Sequence, residues 1–196
     1  MTGVILTGGK SSRMGQDKAL MSVGGVPLFR RILEVFETMF DEILVVTNKA
    51  GRHAGLGYRE VSDIVPDCGP LGGIYTGLSY AKSERIFVAS CDLPFIKVST
   101  VKVVIDEPVS YDIVVPDDSG RLHPLHAVYS RKCSPYIRKW LDNGLFNVTK
   151  FINEVDGLSV RKVQVSQMTS GDQDLISFFN MNTQEDLTEA NKIAGK

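Results

Sequence analysis

The apolar residues fall into short blocks whose internal spacing alternates between two kinds. Val4, Ile5 and Leu6 are contiguous and stop at Gly8 and Gly9, which predicts a buried strand ending in a turn. From Leu28 the period changes, with Leu28, Phe29, Ile32, Leu33, Phe36 and Phe40 recurring at helical spacing. Arg30, Arg31, Glu34 and Glu37 face the other way, and Pro27 stands where a first-turn proline is tolerated. The spacing predicts an amphipathic helix whose aromatic residues are core. Ile43 to Thr47 is again contiguous, a second buried strand that ends at Asn48. Strand, loop, helix, strand makes a βαβ unit, and that implies a parallel sheet with a right-handed crossover.

The alternation continues. Tyr58 to Val61 predicts a short third strand, Leu71 to Ala81 a helix, Arg85 to Ser90 an apolar strand, Ser99 to Asp106 a helix and Tyr111 to Val115 another strand. Leu122 to Tyr129 has strand composition but is interrupted by Pro124, which predicts a sheet edge or an insertion. Cys133 to Asn143 and Asn147 to Val155 read as helices, Leu158 to Val165 as a strand, Phe178 to Asn180 as a last short strand, and Glu185 onward as a last helix. Ser166 to Asp174 is polar and is the segment expected to be mobile. No linker, internal repeat or low-complexity stretch divides the chain. The expected fold class is α/β: one domain over residues 1–196, three-layered, with a mostly parallel central sheet between helices.

Composition narrows the function classes. At 196 residues the chain is long enough to bury a proper core, and its 43% apolar and 23% charged residues are ordinary globular values. A net charge of −1 argues against nucleic acid as a partner, because no basic excess exists to neutralise a phosphate backbone. Cys68, Cys91 and Cys133 are widely spaced with no C-x-x-C pair, which suits a reducing cytoplasm and offers no metal framework. No apolar run approaches the roughly 18 residues that span a bilayer. The residues from Gly8 to Asp17 are polar where a signal peptide needs an apolar stretch. The expectation is a soluble, cytoplasmic protein with no membrane partner.

Candidate chemistry begins in the loop after the first strand. Ser11, Ser12, Arg13, Gly15, Asp17 and Lys18 form a small-residue segment carrying two cations. Glycines let the backbone approach a ligand, and exposed amides with Arg and Lys suit a polyphosphate. The Walker A pattern fails, because it wants glycine where Val4 stands, and the G-x-G-x-x-G fingerprint is absent. This is a phosphate loop of another kind. In open parallel sheets ligands sit outside the carboxyl ends of the strands. Four predicted strands end there in functional-looking residues: Gly8 and Gly9, Asn48, Asp63, and Asp92. Each has a plainer reading too, Asn48 as a turn residue, Asp63 as a cap and Asp92 as a loop carboxylate. Asp92, however, follows a fully apolar strand and precedes Pro94, where a stray carboxylate is costly unless paired.

Leu6-Thr7-Gly8-Gly9, Ser12-Arg13-Met14-Gly15 and Asp17-Lys18-Ala19-Leu20 together resemble the signature loop of the Rossmann-like nucleotidyltransferases. Within that superfamily the chain is most similar to the molybdenum cofactor guanylyltransferases, the MobA family. Gly69-Pro70-Leu71-Gly72-Gly73-Ile74 resembles their GPLAGI stretch and Cys91-Asp92-Leu93-Pro94-Phe95 their C-D-x-P-F stretch. Asn180 to Asp186 resembles their N-x-N-T-P-E-D segment. Thr7 stands for the usual alanine and Gln184 for the proline.

The resemblance implies a Rossmann-like fold and transfer of GMP from GTP to the terminal phosphate of molybdopterin, with release of pyrophosphate. Carried over, Leu6, Thr7, Gly8, Gly9, Lys18, Asn48, Asp63 and Asp92 contact GTP, and Asp92 holds Mg²⁺. Arg13, Lys18 and Asp92 carry the transfer. Asp67 competes with Asp63 for the nucleotide, since both lie close before Gly69. His123, in a segment His-Pro-Leu-His that is a weak metal signal, is expected near molybdopterin or as a pocket wall or packed histidine. Asn180 and Asn182 point the same way if the backbone there is extended, and their amides suit a pterin or its phosphate. The plainer reading gives Asn182 or Thr183 to the cap of the last helix. Lys10, Lys49, Arg52 and Arg121 form either a rim attracting that phosphate or a solvated face. A molybdoenzyme chaperone is a candidate partner. The rivals are a molybdopterin cytidylyltransferase, a sugar-1-phosphate nucleotidyltransferase and a non-catalytic nucleotide-binding adaptor; intact Lys18 and Asp92 argue against the last.

Overall fold

The first apolar block becomes β1 (Thr2–Leu6), at the heart of a mixed sheet. In this computed structural model residues 1–7, 21–48, 51 and 57–195 are described. A small hairpin follows, β2 (Ser22–Val23) and β3 (Val26–Pro27), then α1 (Leu28–Met39), β4 (Glu42–Thr47), β5 (Arg59–Ser62), α2 (Gly69–Tyr80) and β6 (Arg85–Ser90). The second half runs α3 (Val98–Ile105), β7 (Ile113–Asp118), β8 (Arg121–Leu122), β9 (His126–Ser130), α4 (Cys133–Asp142), α5 (Val148–Glu154), β10 (Val160–Gln164) and α6 (Gln184–Ala194).

The sheet order is β10-β7-β9-β6-β1-β4-β5, with β8 paired to β7. The pairs β1–β4, β1–β6, β4–β5 and β7–β10 are parallel. Alternation along each strand splits the core in two, since successive side chains point to opposite faces. Val4, Leu6, Val46, Val88 and Val115 pack with α2, α4 and α5 on one face. Ile5, Val45, Phe87, Val114 and Val163 pack with α1 and α3 on the other. The expected three layers are present. On β1, Gly3 is a packing requirement: a Cβ there would lie 2.5 Å from the Phe40 ring and 2.6 Å from the Phe36 ring of α1.

Three expectations change. The segment Leu122 to Tyr129 is neither an edge nor an insertion. Its second part is β9, which lies antiparallel between β6 and β7 in the middle of the sheet, with Tyr129 fully buried. Pro124 precedes the strand, so it removes no ladder hydrogen bond, and its carbonyl accepts from the Tyr129 hydroxyl at 2.8 Å. The polar segment Ser166 to Asp174 is anchored: Met168 and Asp172 are each 1% exposed. Its polarity hid one apolar plug and one ionic one. Phe178 to Asn180 is no strand; Ile176–Phe178 is a 3₁₀ turn entered through Leu175 in the left-handed region, φ 52°.

The hairpin β2–β3 was not legible among the apolar blocks. Gly24 and Gly25 both have positive φ (58° and 77°), the turn that matches the twist of a two-residue hairpin. Val23 packs with Leu28, Met181 and Ala190, so the last helix closes over the start of the chain.

Candidate active site

Parallel pairing brings four strand ends to one edge of the sheet. Leu6 lies in register with Val46 and Ser90, and Thr47 with Ser62. The loops beyond are tied to one another: the Thr7 amide donates to Val46 O at 2.9 Å, Asp63 N to Thr47 O at 3.0 Å and Cys91 N to Leu6 O at 3.0 Å. The Thr7 hydroxyl donates to Val46 O at 3.2 Å, so threonine in place of alanine satisfies itself inside the sheet.

Among the described residues, two of the hollows along this edge are lined by the strand-end carboxylates Asp63 and Asp92. The smaller, about 20 Å³, is walled by Leu6, Val46, Asp63, Gly69, Pro70 and Gly73. A Cβ on Gly73 would sit 3.1 Å from Leu6 Cδ2, so the bare backbone of α2 is what lets that helix lie close to the end of β1. Asp63 is half-buried, and among the described residues its Oδ1 has no hydrogen-bond partner. Burial pushes its carboxyl up to about 6, partly offset by the Thr76 hydroxyl. Asp67 is exposed, in the left-handed region at φ 61°, and outside this hollow.

The larger hollow is a cleft of about 170 Å³ that brings together Asp92, His123 and Asn180, with Ser90, Arg121 and Phe178. Asp92 follows β6 directly, and its carbonyl accepts from Met181 N at 3.0 Å, which fixes the return of the chain some 90 residues later. The His123 ring lies 4.4 Å from the Phe178 ring, and burial lowers its pKa. His126 is 1% exposed, edge-on to Phe87 at 5.2 Å and to Phe178 at 5.0 Å. Burial drives its pKa down to about 4, so it is neutral at pH 7. His123 is thus a cleft wall and His126 a packed histidine; among the described residues no group of three His, Cys, Asp or Glu could hold a metal.

Asn182 stands outside the cleft wall, exposed, and its Nδ2 donates to Asn180 Oδ1 at 2.9 Å. Thr183 takes the cap of α6, in a box closed by Asp186, with Glu185 in the first turn. Asn48 is exposed at the end of β4. Gly8, Gly9, Arg13 and Lys18, with Lys10, Lys49 and Arg52, lie outside the described residues. Phe178 is the residue the sequence reading missed as a wall. Its only signal was apolarity, and position in the cleft depends on the turn that carries it.

Asp63 yields a pH test of the smaller hollow. A carboxyl raised above its unfolded value favours the protonated native state, so its contribution is full below about pH 4 and is lost as pH rises through about 6. Asp63→Asn should therefore gain melting temperature over the wild type between pH 4 and 7. A difference that stays constant across that range would contradict the burial.

The pattern of the MobA-like NTP transferase domain matches residues 3–157. The probable molybdenum cofactor guanylyltransferase of Pelotomaculum thermopropionicum is 35% identical over 98% of this chain and 93% of its own length. The chain belongs to the MobA-like NTP transferase family. It is an enzyme, a nucleotidyltransferase. A second relative, the molybdenum cofactor guanylyltransferase of Desulfosudis oleivorans, is 33% identical over 97% of this chain and 94% of its own. Among solved structures, molybdopterin-guanine dinucleotide biosynthesis protein A from Archaeoglobus fulgidus superposes with a TM-score of 0.87, covering 100% of this chain and 99% of that one at 24% identity. The 2-C-methyl-D-erythritol 4-phosphate cytidylyltransferase of Thermus thermophilus gives 0.71 at 18% identity, with 98% of each chain covered. These two likenesses speak to the fold, which the MobA-like family shares with cytidylyl-transferring enzymes. No helix among the described residues is long and apolar enough to cross a membrane.

Proposed function

We propose that the protein transfers GMP from GTP to the terminal phosphate of molybdopterin, forming the guanine dinucleotide cofactor and releasing pyrophosphate. The observation that carries this reading is the pair of hollows along one sheet edge, Asp63 with the first turn of α2 in one and Asp92, His123 and Asn180 in the other. The full-length relatives named as guanylyltransferases supply the chemistry that fits them.

In this reading the nucleotide lies over Leu6, Thr7 and the smaller hollow, with Gly8, Gly9, Asn48 and Asp63 among its contacts. A phosphate oxygen of molybdopterin forms a bond to the α-phosphorus as the bond from that phosphorus to the β-phosphate bridge breaks, and the electron pair leaves with pyrophosphate. The attacking phosphate is already ionised, so no general base is needed. The protein's tasks are in-line positioning and charge neutralisation. One unit-charge contact at ~4 Å is worth roughly 4 kcal/mol at an effective dielectric near 20. Several cations are therefore required, and Lys18, Arg13 and loop amides are the assigned set. Asn180 and His123 hold the second substrate, and Asn182 orients the Asn180 amide.

Nucleotidyltransferases of this kind generally use a divalent metal. The donor set fits Mg²⁺ better than a metal needing a protein cage: among the described residues one carboxylate, Asp92, lines the cleft, and Mg²⁺ typically takes one or two carboxylates plus substrate phosphates and water. Bound there, it would neutralise triphosphate oxygens.

The test is incubation with molybdopterin and α-labelled GTP or CTP. Label from GTP should enter the dinucleotide at least tenfold faster, because Gly69 to Ile74 is of the guanylyl type. Preferential incorporation from CTP would reverse the assignment to a cytidylyltransferase.

A further inference from the structure

We propose that the ion pair between Lys97 and Asp172 is a positioning device that sets the second-substrate wall of the cleft against the loop carrying Asp92. The proposal rests on the functional reading above and adds two positioning residues to it. The chain leaves β10 at Val165, makes the 3₁₀ turn Val165–Met168, and returns through the turn Ile176–Phe178 to deliver Phe178 and Asn180 to the cleft. The loop carrying Asp92 runs from Cys91 to Lys97, the N-cap of α3.

One carboxylate joins the two. Asp172 Oδ1 accepts from Lys97 Nζ at 2.8 Å, and Oδ2 accepts from the Ser177 amide at 2.8 Å. Its side chain is fully buried, while that of Lys97 is 39% exposed. Two further bonds link the same segments: Ser99 Oγ to Gly171 O at 3.1 Å and Ser177 Oγ to Phe95 O at 3.2 Å. Between the anchor and the cleft lies Leu175, a branched residue at φ 52°, a conformation that persists only where surroundings impose it. Its amide donates to Asp172 O at 3.0 Å, so the restraint ends on the same residue. Three residues after Leu175, the Phe178 ring meets His123 at 4.4 Å and His126 at 5.0 Å.

Burial alone would raise the Asp172 pKa, but the Lys97 ammonium and the Ser177 amide and hydroxyl outweigh it and hold the group below the ordinary carboxylate range. The Asp92 loop has its own anchor on the sheet, Cys91 N to Leu6 O. Breaking the pair therefore loosens the returning strap and leaves the nucleotide side in place. Because Asp172 is fully buried, removing Lys97 leaves a carboxylate uncompensated and lowers stability as well; a displacement of about 1 Å at a reacting centre can cost about a hundredfold in rate. What marks a positioning role is therefore the split between the two substrates, which a general loss of stability would not produce.

The experiment compares wild type, Asp172→Asn, Lys97→Met and Lys97→Arg. Asparagine replaces one acceptor oxygen with a donor, so it cannot serve Lys97 and Ser177 together. We expect both Asp172→Asn and Lys97→Met to raise the KM for molybdopterin about tenfold, with the KM for GTP within twofold. Lys97→Arg should stay within threefold of wild type on both. Hydrogen exchange of the substrate-free Asp172→Asn protein should be about tenfold faster at the amides of residues 173–180 and unchanged in β1 and β6. If the wild type makes dinucleotide but the variants raise both KM values together, or lose only melting temperature, the pair is structural and the proposal fails. If the strap opens as described but the wild type makes no dinucleotide, the functional reading is what has failed.

Discussion

Asp92→Asn is expected to lower the rate of metal-dependent guanylyl transfer by about three orders of magnitude, in a protein that still folds. The substitution keeps the side chain's shape and removes one charge from a cleft in which an anionic nucleophile must approach an anionic phosphorus. Metal-held charge stabilisation is worth several kcal/mol in such a transition state, and each ~1.4 kcal/mol is tenfold. The fold should survive because backbone bonds tie this residue to the sheet and remain in the variant: the Cys91 amide on Leu6 O and the Asp92 carbonyl under Met181 N. Purified Asp92→Asn should show wild-type melting and urea midpoints, with turnover measured over a range of Mg²⁺. Near-normal turnover in the folded variant would remove Asp92 from the metal site.

Asn182→Asp is expected to weaken molybdopterin binding about a hundredfold while GTP affinity stays within twofold. Asn182 is exposed, and its influence on the cleft runs through its amide, which donates to Asn180 Oδ1 at 2.9 Å. A carboxylate there replaces the donor with an acceptor, turns the Asn180 amide away from its place, and sets negative charge beside the path of an anionic substrate; like-charge juxtaposition costs several kcal/mol. Stability should hold, because the cap of α6 belongs to Thr183 and Asp186, and added negative charge at a helix start is favourable. Calorimetry with each substrate separates the outcomes. GTP affinity falling while molybdopterin binding is untouched would place the residue in the nucleotide half of the site.

The chain's own order already held the layered α/β fold and the edge at which its strand ends gather. Contiguous apolar blocks specify strands buried on both faces, as at Val4 to Leu6, and the helical spacing from Leu28 to Phe40 specifies a helix with one face to cover. Both are local properties, readable because a period of two or of 3.6 is imposed by backbone geometry alone. Parallel pairing then follows from the βαβ order, and it carries Leu6, Asn48, Asp63 and Asp92 to one edge without further information.

What the tertiary structure decided is long-range. Pro124 looked like an interruption until the strand proved to start beyond it, and then the segment's second part took a central place between β6 and β7. Ser166 to Asp174 looked like a free polar loop because a single buried carboxylate in a polar stretch has no periodicity to announce it. Asp172 becomes an anchor only when Lys97, 75 positions earlier, meets it. Asp63 and Asp67 are chemically alike in sequence, and only the fold puts one beside Leu6 and Gly73 and the other in solvent. Residue type and spacing determined which groups were available for phosphate chemistry; pairings between distant segments, which no local period encodes, determined which of them share a cleft.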